Sequence, residues 1–451
     1  MIDFSNVKRL HFIGIGGISM SSLARFLHEK GYCVSGTDEN YTENMTLLQE
    51  LGINVWSGFE PALIGTPDLV VYSSAIKKDN VELSYCLSNS YVCVERYVLL
   101  SYICNLFPYV IGIAGTHGKT TVTSMCADVF YQANLAFYAH IGGDSVNHGN
   151  YRYTGDKYFI CEACEYRKSL LSLSTQVGVI LNVEFDHPDT YKTVPELYDT
   201  FDTFFEICSK KGLKIINSDC TYYQLRQSKN DVITYGYSER ADYRITETFS
   251  LDNGCLGCKI SHFGIPLCEI RLNVVGRHNL INALACVCIC HSIGISVEHI
   301  KIGLNKFNGV KRRFAYCGIY NGCYVYNDYA HHPSEINVAI DVARSLNKGK
   351  LLVVFQPHTY SRTLALKNGF IQALSACDKL VVIKEYPARE KPCDGIDAHT
   401  LFKNCINENK YYCKTLMDSI PIINKITAPE DIILILGAGD VINLCSMLTT
   451  T

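Results

Sequence analysis

The chain has 451 residues, and its 41 basic and 44 acidic side chains give a net charge of −3. This near-neutral balance, without a basic block, argues against a nucleic-acid partner. No apolar run reaches the roughly 18 residues that a membrane-spanning helix needs, and the N-terminus lacks a signal-peptide pattern. We therefore expect a cytoplasmic protein without membrane insertion, long enough for roughly two to four domains.

The 22 cysteines are scattered among apolar positions. In a chain of this length without an export signal, that distribution indicates reduced thiols in the core. Two pairs with metal-ligand spacing, Cys161 with Cys164 and Cys255 with Cys258, leave a zinc site open as an alternative.

The first stretch of the chain has the pattern of a Rossmann-like βαβ unit. An apolar strand, residues 8–15, leads into a turn with Gly16 and Gly17 and then a helix, and a second strand ends near Asp38. Such a turn approaches a ligand closely, and the acidic residue binds a ribose. Ser19 replaces the third glycine of the dinucleotide fingerprint, so NAD, a nucleotide sugar and plain packing glycines all remain open.

A further strand of this domain, residues 68–72, carries Ser73 and Ser74 at its carboxyl end. Open α/β sheets bind ligands at that edge, so both serines are candidate contacts. Pro108 closes the domain.

A phosphate-binding loop opens the second domain. A buried strand over residues 109–114 is followed by a glycine-rich turn and by a helix predicted from Val122 to about Ala133. Backbone N–H groups of such a turn surround phosphate oxygens, the lysine supplies a point charge and the threonine hydroxyl suits Mg²⁺. The candidate ATP contacts are Gly115, Thr116, Gly118, Lys119, Thr120 and Thr121.

Three further strands of the second domain deliver polar groups at their predicted ends. One ends at residues 140–143, one ends in Glu162, and one leads to His187. Beside a phosphate loop, Glu162 and His187 are candidate metal or phosphate ligands, with Thr120 as a third Mg²⁺ contact.

Two asparagines follow a patch of short alternating strands. Asn279 and Asn282 are three residues apart, so on a helix they share a face and suit a purine edge, although a capping role is equally compatible. A basic link, residues 307–314, leads to a third domain that begins with a strand at residues 323–327 and has a βαβ pattern with polar strand ends.

Together these motifs resemble the Mur ligases of peptidoglycan synthesis, over essentially the whole chain. The resemblance rests on Gly14–Ile18, Ser73–Ile76, Gly115–Thr121, Glu162–Glu165, Asp186–His187, Gly276–Asn279, Phe307–Arg313, Asp328–Pro333, Gln356–Thr363 and Gly437–Asp440. It implies an α/β fold with three domains: a Rossmann-like N-terminal domain, a central P-loop ATPase-like domain with a mostly parallel sheet, and a Rossmann-like C-terminal domain. The predicted boundaries are 1–108 for binding of UDP-N-acetylmuramate, 109–312 for ATP and 313–451 for ligation.

The resemblance is strongest to the branch that joins L-alanine to UDP-N-acetylmuramate with ATP and Mg²⁺. It implies that Lys119 and Thr120 face ATP phosphates, that Glu162 and His187 hold Mg²⁺, and that the third domain closes over the substrates. The further implied ATP contacts are Asn279, Asn282, Arg313 and Asp328. The implied sugar-nucleotide contacts are Gly16, Gly17 and Ser73. Asp38 and Ser74 are further candidates because each lies at the carboxyl end of a predicted strand. The implied members of the reaction centre are His331, a candidate general base, and Arg362, with Lys119 as the third catalytic residue.

Several positions depart from the wider family. Thr359 stands where some members carry a second arginine, which leaves Arg362 alone to hold a carboxylate. The helix after Asp186–His187 has no lysine over residues 198–204, as in the alanine-adding branch. We expect a monomer or weak homodimer.

Three alternatives remain at this point. A recycling ligase that adds a murein peptide to the same sugar nucleotide shares most of the motifs. A nicotinamide-dependent oxidoreductase would bind its cofactor at the first glycine turn, but this alternative gives no function to Lys119, Asn279 or Asn282. A nucleotide-sensing module binds ATP without catalysing ligation.

Overall fold

The computed structural model describes residue 4 and residues 6–226, 231–346, 348–388, 390–391 and 397–449. The chain divides into two compact units. The first unit comprises Met1–Asn182, Asp199–Asp242 and Ala285–Gly303, and the second comprises Val183–Tyr198, Tyr243–Leu284 and Leu304–Thr451. None of the helices in the described ranges combines the length and hydropathy needed to cross a bilayer.

The N-terminal part of the first unit is a parallel five-stranded sheet. Its strands are β1 (Arg9–Ile13), β2 (Cys33–Asp38), β3 (Asn54–Ser57), β4 (Leu69–Tyr72) and β5 (Cys93–Glu95). Its helices are α1 (Ile18–Glu29), α2 (Glu43–Glu50), α3 (Val81–Ser88) and α4 (Arg96–Cys104). The strand order is β3-β2-β1-β4-β5, so the direction of winding reverses at β1, as the Rossmann-like prediction requires.

A second sheet in the first unit surrounds the strand before the phosphate loop. Its strands here are β6 (Tyr109–Ala114), β7 (Phe137–Ser145), β8 (Gly149–Tyr153), β9 (Tyr158–Ala163), β10 (Val177–Ile180), β11 (Leu213–Asn217) and β12 (Ile233–Gly236). They lie in the order β12-β11-β10-β6-β9-β7-β8, and the pairs described along this order are parallel except β7 with β8. The helices along this part of the chain are α5 (Lys119–Gln132), α6 (Val194–Ile207), whose first residues belong to the second unit, and α7 (Thr221–Leu225).

The second unit begins with an antiparallel meander and continues into a mostly parallel sheet. The meander is β13 (Tyr243–Ser250), β14 (Cys255–His262) and β15 (Ile265–Val275). The sheet is β16 (Ala315–Tyr320), β17 (Cys323–Asp328), β18 (Leu351–Phe355), β19 (Lys379–Ile383), β20 (Lys410–Cys413) and β21 (Ile432–Leu436). Its order is β16-β17-β21-β18-β19-β20, with only β16 antiparallel to its neighbour.

Eight further α-helices follow, and four short 3-10 helices (Pro61–Leu63, Tyr166–Ser172, Asp252–Gly254 and Asp440–Ile442) complete the described elements. The α-helices come in the following order. They are α8 (Arg277–Ser292), α9 (Val297–Asn305), α10 (Pro333–Ser345), α11 (Tyr360–Ala365), α12 (Lys367–Leu374), α13 (Ala398–Asn404), α14 (Leu416–Ile426) and α15 (Asn443–Thr449).

Strand β18 shows why the C-terminal sheet is covered on both faces. Leu351, Val353 and Phe355 pack into one core, while Leu352 and Val354 pack into another. Since successive side chains point to opposite faces of a strand, a continuous apolar run must be covered on both sides. This arrangement leaves the polar residues after each strand at the carboxyl edge of the sheet, where a site can form.

The structure confirms the α/β class with Rossmann-like, phosphate-loop and C-terminal sheets in the predicted order, and it makes three corrections to the predicted elements. Helix α5 begins at Lys119, not Val122, so the lysine lies on the first helical turn. Strand β7 continues through residues 140–143 to Ser145, where we expected a strand end. The C-terminal sheet begins with β16, before the strand predicted at residues 323–327.

Candidate active site

The phosphate loop joins β6 to α5 and depends on two glycines. Gly115 has φ of +141° and Gly118 has φ of +85°, conformations that side chains with a Cβ rarely adopt. A Cβ on Gly115 would also lie 3.1 Å from the main-chain oxygen of Asn182. The N-terminal N–H groups of α5 follow directly, and helix termini of this kind attract phosphate.

Asn182, which follows β10, holds the loop from the neighbouring strand. The main-chain N–H of Thr116 donates to the Asn182 carbonyl at 3.1 Å, and that of His117 donates to Asn182 Oδ1 at 2.8 Å. The amide of Asn182 in turn donates to the His117 carbonyl at 3.0 Å. These bonds fix the loop before any ligand binds, which lowers the cost of ordering it.

Lys119 points back across the loop and pairs with a buried carboxylate. Its Nζ donates to Glu165 Oε2 at 2.9 Å, to the Thr116 carbonyl at 3.1 Å and to the Gly115 carbonyl. Only 13% of the Lys119 side chain and 4% of the Glu165 side chain are exposed. Burial alone would lower the pKa of Lys119, but the charges of Glu165, Cys164 and Glu162 and the hydrogen bond to Glu165 together raise that pKa, so the ammonium is kept.

Glu162 lies on β9 directly beside the strand that carries the loop. It is in register with Ile113 of β6, and its Oε1 accepts from the Gly142 N–H at 2.6 Å. A Cβ at position 142 would lie 2.7 Å from the same oxygen. The glycine thus makes room for a carboxylate near the loop, and a carboxylate is the ligand type that Mg²⁺ prefers.

The predicted sugar-nucleotide residues gather at the carboxyl edge of the N-terminal sheet. The Gly16 N–H donates to Asp38 Oδ2 at 3.0 Å, and a Cβ on Gly16 would lie 2.6 Å from Thr42 Oγ1. A Cβ on Gly14 would lie 3.2 Å from the Cβ of Ser73, so the two residues are close neighbours. Burial raises the pKa of Asp38 although backbone hydrogen bonds oppose it. Gly17 and Ser74 follow Gly16 and Ser73 at this edge.

Ser19, the departure from the dinucleotide fingerprint, has partners of its own. Its hydroxyl lies 2.8 Å from His140 Nε2 and accepts from the Arg96 guanidinium at 3.0 Å. Burial, followed by the charge of Arg96, lowers the pKa of His140 to about 3. The serine therefore takes part in a polar network of the first unit that a glycine would lack.

The second unit carries the remaining candidate ATP contacts. On α8, Asn282 donates to Asn279 Oδ1 at 3.3 Å, which confirms their shared face, while Asn279 donates to the Val275 carbonyl at 2.8 Å. Arg313 lies 3.4 Å from Glu335. Asp328 accepts from two main-chain N–H groups at 2.7 Å, and burial raises its pKa to about 6.

Arg362 and Asp186 form a buried ion pair in the second unit. The Arg362 Nε donates to Asp186 Oδ1 at 2.8 Å and its Nη2 donates to Oδ2 at 3.2 Å, with 7% of each side chain exposed. Burial would raise the pKa of Asp186, but Arg362 brings it far below its usual range. The planar fork predicted for a substrate carboxylate is thus already engaged by a protein carboxylate.

His187 adjoins this pair and has an unusual backbone. Its φ is +55°, and its Nε2 lies 3.7 Å from Asp186 Oδ2. The structure therefore brings His187 together with Asp186 and Arg362 in the second unit, whereas Glu162 and Thr120 belong to the first unit.

His331 is held in the tautomer that a base requires. Its Nδ1 lies 2.8 Å from the Tyr329 carbonyl and 3.3 Å from a Glu335 oxygen, so the proton sits on Nδ1 and Nε2 keeps its lone pair. Burial is the main cause that lowers the pKa of His331 to about 4, so the imidazole is neutral at pH 7.

The lowered pKa of His331 predicts that the protein loses stability in acid. The pKa of His331 in the folded state lies below its unfolded value near 6.5, so the unfolded state binds a proton more readily. The contribution of neutral His331 to the unfolding free energy is therefore complete above pH of about 6.5 and is lost as the pH falls toward about 4. We expect His331→Gln to reduce the fall in unfolding free energy over that range by about 2 kcal/mol, as measured by urea titration. Exposed His299→Gln is the control, and equal slopes in all three proteins would contradict the prediction.

Sequence reasoning missed the partners of several candidates. Glu165, Asn182, Asp186 and Glu335 each hold a predicted residue or the loop. Glu165 lies three residues after Glu162, and Asp186 lies directly before His187. Neither position in the sequence indicates which basic residue forms the ion pair.

The two CxxC pairs show no metal site. Among the described residues, no group of three or more candidate ligands includes Cys161, Cys164, Cys255 or Cys258. Cys161 and Cys258 are buried, as the core-thiol interpretation predicts.

Comparisons with known proteins agree with these features across the chain. Three family profiles match: "Mur ligase family, catalytic domain" over residues 9–108, "Mur ligase middle domain" over 113–290 and "Mur ligase, glutamate ligase domain" over 312–439. The chain is 37% identical over 452 aligned residues to a UDP-N-acetylmuramate–L-alanine ligase of Clostridium tetani, covering 96% of each protein.

Two solved structures are also similar. The crystal structure of a UDP-N-acetylmuramate–alanine ligase from Thermotoga maritima matches with a TM-score of 0.81 at 25% identity, over 98% of both chains. That of a murein peptide ligase from Psychrobacter arcticus matches with a TM-score of 0.74 at 23% identity over 98% of both chains, and supports the fold alone.

Proposed function

Because this chain belongs to the Mur ligase family, we propose that it joins L-alanine to the lactyl carboxylate of UDP-N-acetylmuramate, using ATP and forming an acyl phosphate. The observation that carries this proposal is the end-to-end likeness to ligases with that named reaction, at 36–37% identity. The phosphate loop supplies the matching chemistry, because an unactivated carboxylate is a poor electrophile and needs a phosphoryl group before an amine can attack.

We assign the candidate residues to the two nucleotide substrates. We assign Gly115, Thr116, Gly118, Lys119, Thr120 and Thr121 to the phosphates of ATP, and Asn279, Asn282, Arg313 and Asp328 to the rest of the nucleotide. Gly16, Gly17, Asp38, Ser73 and Ser74 are assigned to the sugar nucleotide. The segments 1–108, 109–312 and 313–451 remain our predicted domain boundaries, and cytoplasmic localisation and a monomer or weak homodimer remain predictions.

Lys119 is the residue whose environment best fits a phosphate ligand. Its ammonium is kept charged and is held against two loop carbonyls and Glu165. A phosphate oxygen that approaches the loop gains this charge together with the N-terminal N–H groups of α5. Charge that develops during phosphoryl transfer is thereby stabilised by groups already in place.

Magnesium, when bound, would neutralise charge on the phosphate oxygens and polarise the transferred group. We propose that Thr120, Glu162 and His187 hold it, and that the glycine at position 142 is needed because it leaves space for the Glu162 carboxylate. His331, neutral and with its lone pair on Nε2, is our candidate to accept a proton from the amine of alanine.

The metal assignment makes a testable prediction. We expect Glu162→Ala and His187→Ala each to raise the Mg²⁺ concentration for half-maximal rate by about 10-fold, because each removes one ligand. Glu247→Ala, which removes an exposed carboxylate paired with Lys259, is the matched control. Mg²⁺ titrations that coincide with the unmodified protein would show that both residues are structural.

Phosphate release tests the proposed function. We expect release only when UDP-N-acetylmuramate, ATP and L-alanine are all present. ATP binding without release in the complete mixture would favour the nucleotide-sensing alternative instead. Membership of a family of ATP-dependent ligases removes the ground for the nicotinamide-dependent alternative.

A further inference from the structure

Three cysteine thiols meet in the interior of the first unit. Cys126 lies on α5, and Cys286 and Cys290 lie one turn apart on α8. The sulfur atoms of Cys126 and Cys286 are 3.6 Å apart, those of Cys286 and Cys290 are 3.9 Å apart, and all three lie within 4.8 Å of one another. We call these three residues the thiol triad.

The thiol triad is fully buried. None of the three cysteines is exposed at all, and three of their apolar neighbours in sequence, Met125, Ala127 and Ile289, are equally buried. Any ion bound here must leave almost no net charge, because an uncompensated charge in such a place costs several kcal/mol.

We propose that the thiol triad binds one trivalent thiophilic metalloid, As(III), through three sulfur atoms. Thiolates, not thiols, are effective ligands, so a full set of three contributes three negative charges. A trivalent centre cancels them, whereas a divalent ion leaves one negative charge and a monovalent ion leaves two. Charge neutrality therefore favours the trivalent centre at this buried position.

Coordination number supports the same choice. Structural zinc sites are almost always tetrahedral with four protein ligands. Within the described residues, the group contains three cysteines and no fourth cysteine, histidine or carboxylate. A three-coordinate pyramidal centre needs no fourth ligand, because its lone pair occupies that direction and tolerates apolar neighbours.

The binding step balances without an oxidant or reductant. Arsenous acid, As(OH)₃, reacts with three thiols to give As(S-Cys)₃ and three molecules of water. Three As–O bonds and three S–H bonds break, three As–S bonds and three O–H bonds form, and arsenic stays trivalent. Both the acid and the product are neutral, so the reagent can reach the triad by a local opening of the fold.

The product would join α5, whose first residue is Lys119, covalently to α8. A ligand that binds the folded state in this way raises the thermal midpoint of unfolding. The inference does not depend on the proposed ligase activity, because its measurements use the protein without substrates.

X-ray absorption on the unmodified, reduced protein with one equivalent of arsenite is the first test. We expect three As–S distances and no As–O distance, because only a triad replaces all three oxygens. Thiols that neighbour each other as a pair, such as Cys86 with Cys93 and Cys104 with Cys161, would give two As–S bonds and retain an oxygen. An As–O shell in the bound species would overturn the proposal.

Single substitutions locate the site. We expect Cys126→Ala, Cys286→Ala and Cys290→Ala each to weaken arsenite binding about 100-fold, since chelation by linked groups is lost. Cys288→Ala is the matched control, because Cys288 is equally buried on α8 but lies outside the triad. Binding that survives in the three variants, or that is lost equally in the control, would contradict the proposal.

Discussion

We expect Lys119→Ala to lower kcat by about 1000-fold or more while the affinity for UDP-N-acetylmuramate stays nearly unchanged. Preorganised charges at a transferring phosphoryl group contribute at least this much to the rate. Lys119 lies on the first turn of α5 at the phosphate loop, whereas the proposed sugar-nucleotide contacts lie on the N-terminal sheet. Steady-state phosphate release and calorimetric titration of the sugar nucleotide measure the two quantities.

The control for this variant concerns Glu165. Removing the lysine leaves a carboxylate with only 4% exposure and without its ammonium partner, which costs about 3 kcal/mol in stability. Lys119→Ala with Glu165→Gln should recover most of that stability but none of the activity. Near-normal turnover in either variant would remove the phosphate-loop assignment.

We expect Arg362→Met to lower the unfolding free energy by about 3–5 kcal/mol, because it leaves Asp186 buried without its bidentate partner. Asp186→Asn in the same chain should restore part of that loss, since the amide carries no charge. Urea titration at pH 7 measures the effect. If the single and double variants are equally stable, the Asp186–Arg362 pair does not stabilise the fold.

Arg362→Lys separates this structural role from binding of alanine. Asp186 accepts from Nε and Nη2 of Arg362, so we propose that the third guanidinium nitrogen, Nη1, binds the carboxylate of alanine. A lysine keeps the positive charge beside Asp186 but cannot hold two carboxylates with a planar guanidinium. We expect the KM for alanine to rise at least about 10-fold, with the affinities for ATP and the sugar nucleotide nearly unchanged. Recovery of normal alanine KM in Arg362→Met/Asp186→Asn would show that Arg362 only compensates Asp186.

The sequence predicted best those elements whose apolar runs end abruptly in polar residues. Strand β6 has the predicted bounds, because it is buried on both faces and is followed by the glycine-rich turn of the phosphate loop. Strand β16 is only half buried and contains Gly318, so it lacks that signal. The predicted end of β7 was wrong because two successive glycines, Gly142 and Gly143, are typical of a turn. In the structure they continue the strand.

For the candidate site, sequence reasoning found residue types but not their partners. The spacing of Gly115, Gly118 and Lys119 is local, so the loop could be predicted. Lys119 meets Glu165 only because β6 and β9 are adjacent, and Arg362 meets Asp186 across 176 positions in the sequence. Pairings at such separations follow from strand order and register, which composition and periodicity do not specify.

The measurement that tests the central claim most directly is mass spectrometry of the product in a competition between two amines. UDP-N-acetylmuramate and ATP are incubated with equimolar L-alanine and murein tripeptide, and Lys119→Ala serves as the inactive control. We expect the sugar nucleotide to gain one alanine, with ADP and phosphate formed in equal amounts and no tripeptide adduct. A product carrying the tripeptide would identify a recycling ligase and contradict the account.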